Sequence, residues 1–207
     1  AIQRSIMRGQ SIPAGLIVAP GVNGWSQQLD TPVKADTNRA RALLKEAGYP
    51  DGFEVRLNCP NNRYVNDEKI CQAVVAMWAR IGVKAQLASE NMATFIQKVQ
   101  NFDSSIYLLG WGVANYDAQY SLQSLVRTRT SGADGNFNFS KVSDATLDRL
   151  IDGMKSETNG AKRNGMLRDA LVRVRDEALL IPLHHQIRPW VMKAGVTTVH
   201  RSDDRPE

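Results

Sequence analysis

The side chains best suited to chemistry are few and scattered. The three histidines are His184, His185 and His200. His184 and His185 are neighbours in a segment with a strand pattern, so their side chains point to opposite faces and cannot easily share one metal ion. A core or interface role suits them better. Cys59 and Cys71 are the two cysteines. They lack the close ligand pairs of a zinc site. We read them as buried thiols, with a disulfide as the alternative in an oxidising compartment. Asp103 and Asp117 could in principle pair as general acid and base, but nothing in their spacing requires it. Asp203 and Asp204 stand near the end of the chain, where solvation is expected. There is no HExxH, GxSxG or phosphate-loop pattern. No nucleophile or carboxylate pair is placed convincingly for catalysis.

Two other segments offer recognition instead. One is Pro60-Asn61-Asn62-Arg63-Tyr64-Val65-Asn66-Asp67, the other Gly110-Trp111-Gly112-Val113-Ala114-Asn115-Tyr116-Asp117. Both mix aromatic rings with hydrogen-bonding groups, the lining expected of a small-molecule cleft. Asn61, Arg63 and Tyr64 from the first, and Trp111, Gly112, Asn115, Tyr116 and Asp117 from the second, are the candidate ligand-binding residues. Trp111 sits between glycines, which allow backbone to approach a ligand closely. The bland alternatives are turn chemistry for Asn61-Asn62, capping for Asn66 and Asp67, and a buried tryptophan in a turn. For Asn66 and Asp67 turn and cap chemistry is preferred.

These segments follow predicted strands, and that is why they matter. Phe53, Val55 and Leu57 alternate with polar residues, as do Val83, Ala85 and Leu87, and each set reads as a strand. Ile106-Tyr107-Leu108-Leu109 is a continuous apolar run, the pattern of a strand buried on both faces. Between them, Ile70, Val74, Met77 and Ile81 recur at helical spacing after Asn66, and Gly82 stops that helix. Phe95, Ile96 and Val99 mark another helix. The order strand, helix, strand, helix, strand implies parallel strands with crossover helices. In such sheets ligands bind beyond the carboxyl ends of the strands, where both candidate segments lie. Upstream, Ala1 to Gly9 reads as a short helix, and an irregular stretch to about Lys34 is expected to wrap another element. A helix capped by Asp36 or Thr37 then turns Ala40, Leu43, Leu44 and Ala47 to one face before Gly48 and the turn Tyr49-Pro50-Asp51-Gly52. Downstream come a helix near Leu122, a loop from Thr128 to Ser140, and two helices carrying Leu147 to Met154 and Met166 to Val174. Strands are expected at Leu179 to His185 and Trp190 to Lys193.

The chain has 207 residues, 43% hydrophobic and 23% charged, which is ordinary for a globular domain. The net charge of +5 invites a nucleic-acid reading. However, 26 basic residues are mixed with 21 acidic ones. The densest basic stretch, Arg163 to Arg175, contains Asp169 and reads as a solvated helix face, so no nucleic-acid partner is expected. No apolar run approaches the roughly 18 residues of a membrane span, and no signal peptide is visible at Ala1-Ile2-Gln3-Arg4. The helical pattern at the first residues suggests a piece of a longer chain. We expect one domain over 1–207: a lead-in helix and extended segment over 1–35, an α/β core over 36–193, and a return segment over 194–207.

Several runs together resemble one family. Tyr-Pro-Asp-Gly-Phe at 49–53, Cys-Pro-Asn-Asn-Arg-Tyr-Val-Asn-Asp at 59–67, Ile-Gly-Val at 81–83, Gly-Trp-Gly at 110–112 and Ile-Pro-Leu-His-His-Gln at 181–186 are similar to the peptide/nickel class of bacterial solute-binding proteins. The likeness covers about residues 1–193. It implies an α/β fold, the carboxyl-terminal lobe of a type II periplasmic-binding-protein-like fold with a mostly parallel sheet flanked by helices. It also implies capture of a small peptide or peptide-like solute in a cleft shared with an amino-terminal lobe of the same chain. Delivery to a membrane permease of an ABC importer would follow, in a periplasmic setting and as a monomer. Neither catalysis nor an obligatory cofactor is implied. One departure matters. Peptide binders of this class carry an Asp three residues after the tryptophan for the peptide's amino group, and some an Arg three residues before it. Here those positions are Ala114 and Leu108. The resemblance therefore points away from a simple free-ended peptide and toward a modified peptide, a glutathione-like molecule, an opine or a metal chelate. The rival readings are a hydrolase with a Rossmann-like sheet and a nucleic-acid-binding module.

Overall fold

Period-two and helical apolar patterns alternate along residues 53–109, and each becomes the element its spacing favours. The structure is a computed structural model that describes residues 1–187 and 189–199. Its elements run in order: a π-helical turn Ile2–Ile6, β1 Ser11–Pro13, α1 Thr37–Glu46, β2 Glu54–Pro60, α2 Asp67–Ala79, β3 Lys84–Glu90, α3 Met92–Gln100, β4 Ile106–Tyr107, α4 Ala118–Leu125, α5 Ala145–Ser156, α6 Gly160–Asp176 and β5 His184–Gln186. The chain divides into two compact units, one made of Ala1–Gly9 with Val33–Gly110, the other of Gln10–Pro32 with the chain from Trp111 onward. The expected lead-in over 1–35 is thus distributed over both.

In the first unit β2 is the central strand of a parallel sheet ordered β3-β2-β4. Its register with β3 runs from Glu54↔Lys84 to Pro60↔Glu90, and β4 pairs as Leu57↔Ile106 and Asn58↔Tyr107. Because β3 and β4 flank β2 on opposite sides, right-handed crossovers put α2 and α3 on opposite faces. Leu57, Ile70, Val74, Phe95 and Val99 fill the resulting layers. The turn before β2 closes on Gly52, whose φ of +80° and whose place 2.0 Å from the Gly82 carbonyl oxygen (measured from a Cβ built there) leave no room for a side chain.

Four expectations change here. Cys59 and Cys71 are not free thiols but a disulfide, their Cα atoms 6.5 Å apart. It links the end of β2 to the second turn of α2. The apolar run 106–109 is only half-buried, and just two of its residues pair, because β4 is an edge strand. Asp36 caps α1 through the amides of Asn38 and Arg39, but Leu43 is exposed and only Ala40 and Leu44 are half-buried. Asn66 precedes α2 with φ of 58° and makes no side-chain cap; its amide nitrogen donates to the Ile6 carbonyl instead (3.1 Å).

The second unit packs α4, α5 and α6 with the irregular segment 10–32. Leu122, Leu147, Ile151, Met154, Leu167 and Leu171 are its core, and Leu16 and Val18 join it. The segment thus inserts apolar side chains rather than merely wrapping a surface. Asp144 and Asn159 cap α5 and α6. Along α6, Arg163 pairs with Asp117, Arg168 with Asp169, Arg173 with Asp144 and Arg175 with Asp176. The basic stretch is therefore a mixed-charge face.

β1 and β5 form an antiparallel ribbon, Ser11↔Gln186 to Pro13↔His184. The strand expected over Leu179–His185 is limited to His184–Gln186, since β1 offers three residues to pair with. Trp190–Lys193 forms no strand. His185 Nε2 lies 2.9 Å from Asp30 Oδ2, and that carboxylate also accepts from Trp25 Nε1 and from the amides of Gly15 and Leu16. His185 is thus a structural group. His200, Asp203, Asp204 and the end of the 194–207 segment lie outside the described residues. Among the described residues no helix is long and apolar enough to cross a membrane, and no group of three His, Cys, Asp or Glu could hold a metal ion.

Candidate functional site

The first candidate segment begins where β2 ends. Asn61 is exposed, and its amide donates to the Glu90 carbonyl (2.9 Å), extending the β2–β3 ladder by one bond. Asn62 Oδ1 accepts from the amide of Met92 at the start of α3 (2.9 Å). Asp67 organises the rest. One of its oxygens accepts from the amides of Arg63 (3.0 Å) and Tyr64 (2.9 Å), the other from Glu68 (2.9 Å). The side chain belongs to turn chemistry.

That turn presents Arg63 and Tyr64 together. The guanidinium of Arg63 stands 5.5 Å from the Tyr64 ring centroid, a cation–π arrangement. Tyr64 Oη donates to the Gly110 carbonyl (3.2 Å), so the loop is tied to the segment after β4. A Cβ at Gly110 would come within 2.6 Å of the Tyr64 ring, which explains the glycine. Burial raises the Tyr64 pKa above the ordinary phenol value, so the hydroxyl stays a donor.

The second segment opens the second unit. Trp111 is half-buried and fully engaged: Nε1 donates to Ser121 Oγ (3.1 Å), Tyr120 stacks at 5.5 Å between centroids, and Phe137 meets it edge-on at 5.1 Å. Tyr120 is 40% exposed, so it presents the outer ring of this stack. Gly112 has open space around it. Asn115 is exposed, and its Oδ1 accepts from the Asp117 amide (3.2 Å). Tyr116 is 37% exposed with φ of 55°. Its carbonyl accepts from the Asn23 amide (2.8 Å), part of a short parallel bridge between the segments around Asn23 and Asp117.

Asp117 caps α4. Oδ1 accepts from the Gln119 amide (2.9 Å) and Arg163 Nη2 (2.9 Å), while Oδ2 accepts from Arg163 Nη1 (2.7 Å) and Asn23 Nδ2 (3.0 Å). Burial alone would raise its pKa, but the hydrogen bonds from Arg163, Asn23 and Gln119 outweigh that and hold it below the usual carboxylate range. With its lone-pair sites filled, it has no oxygen left for acid–base work.

Sequence reading missed the supporting residues. Tyr120 and Ser121 lie one helical turn past Asp117, within reach of a helix-face argument. Phe137 and Arg163 have no local signal, because their contacts with the segment exist only in three dimensions.

A family model described as bacterial extracellular solute-binding proteins, family 5, middle region, matches residues 1–133. Heme-binding protein A of Haemophilus influenzae is 26% identical over 196 residues, covering 90% of this chain and 34% of that protein. Di/tripeptide-binding protein 1 of Pseudomonas aeruginosa is 29% identical over 178 residues, covering 83% of this chain and 33% of that protein. The chain spans about a third of the length of the curated relatives it matches. The crystal structure of a dipeptide-binding protein from a Pseudoalteromonas species in complex with Met-Leu superposes with a TM-score of 0.81 at 22% identity, covering 90% of this chain and 37% of that one. The fold is that of an α/β lobe of type II periplasmic binding proteins.

Proposed function

The chain belongs to family 5 of the bacterial extracellular solute-binding proteins, and from that premise we propose that it supplies one lobe of the substrate-binding component of an ABC importer. In this reading the lobe captures a small peptide-like solute outside the cytoplasm and works without catalysis. A second lobe closes over the ligand, and a membrane permease reads the closure. The family match across residues 1–133 carries the proposal.

The residues support it in two ways. The disulfide Cys59–Cys71 suits an oxidising, extracytoplasmic compartment. Both candidate segments present aromatic and amide groups after parallel strands, where α/β sheets bind ligands. Arg63, Tyr64, Asn61, Gly112, Asn115 and Tyr116 are the proposed contacts. Trp111 acts through its ring face, since its N–H is spent on Ser121, and Asp117 acts by holding its segment.

The proposed ligand carries no free amino group seated on this lobe. Ala114 and Leu108 offer no charge, and Asp117 is already paired. Mass spectrometry of small molecules released from natively purified full-length gene product tests this. A bound amine-blocked or non-peptide compound is expected. Ordinary free-ended peptides would keep transport and refute the ligand class, and a protein that carries and binds no solute would refute the transport reading.

A further inference from the structure

The segment around Trp111 does hold a negative charge, but that charge is spent. Asp117 receives four donors at 2.7–3.0 Å, two of them from one guanidinium. Arg163 reaches it from α6, across 46 residues of sequence, and its own Nε donates to the Met154 carbonyl (3.1 Å). The fork is therefore fixed at three points. Side-chain exposures of 24% for Arg163 and 22% for Asp117 place the pair at the margin of the surface, not in the core. Its neighbours Asn115 and Tyr116 are exposed. A ligand touching this segment would meet a carboxylate only a side chain away, already neutralised.

We propose that Arg163 is a specificity-determining residue: by occupying both oxygens of Asp117 it denies this segment an anchor for an ammonium group and biases the protein toward ligands without one. The inference deepens the solute-binding reading and rests on it. A bidentate guanidinium suits the task better than a lysine, because two parallel hydrogen bonds engage both oxygens at once. Removing it leaves the carboxylate with Asn23 and the Gln119 amide, neutral donors that cannot cancel its charge. Specificity of this kind is a difference between affinities, so a ratio must be measured.

The experiment uses the full-length gene product with two probes, the dipeptide Met-Leu and its N-acetyl form, titrated by calorimetry. Arg163→Gln is expected to raise affinity for Met-Leu relative to the acetylated peptide by about tenfold, the scale of one charge-assisted hydrogen bond. Adding Asp117→Asn in the double variant should abolish that gain, which a merely structural role for Arg163 would not produce. Should Arg163→Gln fail to fold, Arg163→Lys, which loses the fork but keeps a charge, is expected to give a smaller shift in the same direction. An unchanged ratio overturns the proposal, including the case in which no variant binds either peptide. So does a gain that survives Asp117→Asn. Failure here is distinguishable from failure of transport, because the solute released from the unmodified protein is measured separately.

Discussion

The loop 61–66 and the segment 111–117 each hang on an aspartate at the start of a helix, yet the two aspartates are held differently. Asp67 is 3% exposed and accepts only backbone amides, those of Arg63, Tyr64 and Glu68. Beside it, a disulfide fixes the end of β2 to α2. Asp117 lies nearer the surface and depends on side chains, Arg163 and Asn23, brought from distant sequence. One loop is organised by local backbone and a covalent bond, the other by a long-range ion pair. The first should respond to redox conditions, the second to acid and not to redox.

The largest expected effect is redox. Cys59 and Cys71 are 12 residues apart, and a bond closing a loop of that size stabilises by about 3 kcal/mol. Replacing both with serine should lower stability by about that amount and speed hydrogen exchange over residues 54–79. The amides of 113–125 should keep their protection. Equal loss in both regions would erase the contrast.

Charge comes second. Asp117→Asn keeps a capping side chain but loses the charge-assisted bonds to Arg163, an expected cost of about 2 kcal/mol at pH 7. Because Asp117 has a depressed pKa in the folded state, its contribution is present above the unfolded carboxylate value of about 3.9 and disappears as pH falls below it. Thermal melts between pH 7 and pH 3 should show acid loss in the native protein and less of it in Asp117→Asn. Parallel curves would mean the pair does not support the segment.

The sequence made one of these devices half visible and hid the other. The strand and helix order around β2 was legible because burial on defined faces imposes periods that survive in one dimension. Asp67 was legible as turn and cap chemistry because its partners are three and four residues before it and one after. The disulfide stood only as the alternative to buried thiols, since strand-end and helix cysteines pair only if the crossover lays one on the other. The edge position of β4 was hidden for the same reason, and the apolar run 106–109 suggested deeper burial than an edge allows. Arg163 looked like part of a solvated face, and nothing near it in sequence marks Asp117 as its partner. Local chemistry is readable; pairing across topology is not.

The smallest effect sharpens the comparison from the alkaline side. Tyr64 Oη donates to the Gly110 carbonyl, and its ring fills the space a Cβ at Gly110 would need. Tyr64→Phe removes the hydroxyl and keeps the ring, so it isolates one neutral hydrogen bond, about 1 kcal/mol. Burial raises the Tyr64 pKa, so the stabilisation is present below the ordinary value near 10 and is lost only as pH rises through and above it. Exchange at the amides of 61–67 and 108–110 should therefore quicken modestly in Tyr64→Phe at neutral pH. In the native protein it should show an added opening above pH 10 that the variant lacks. If Tyr64→Phe quickens exchange over 111–117 as much as over 61–67, the hydroxyl does not act on its own loop, and the distinction between the two segments falls.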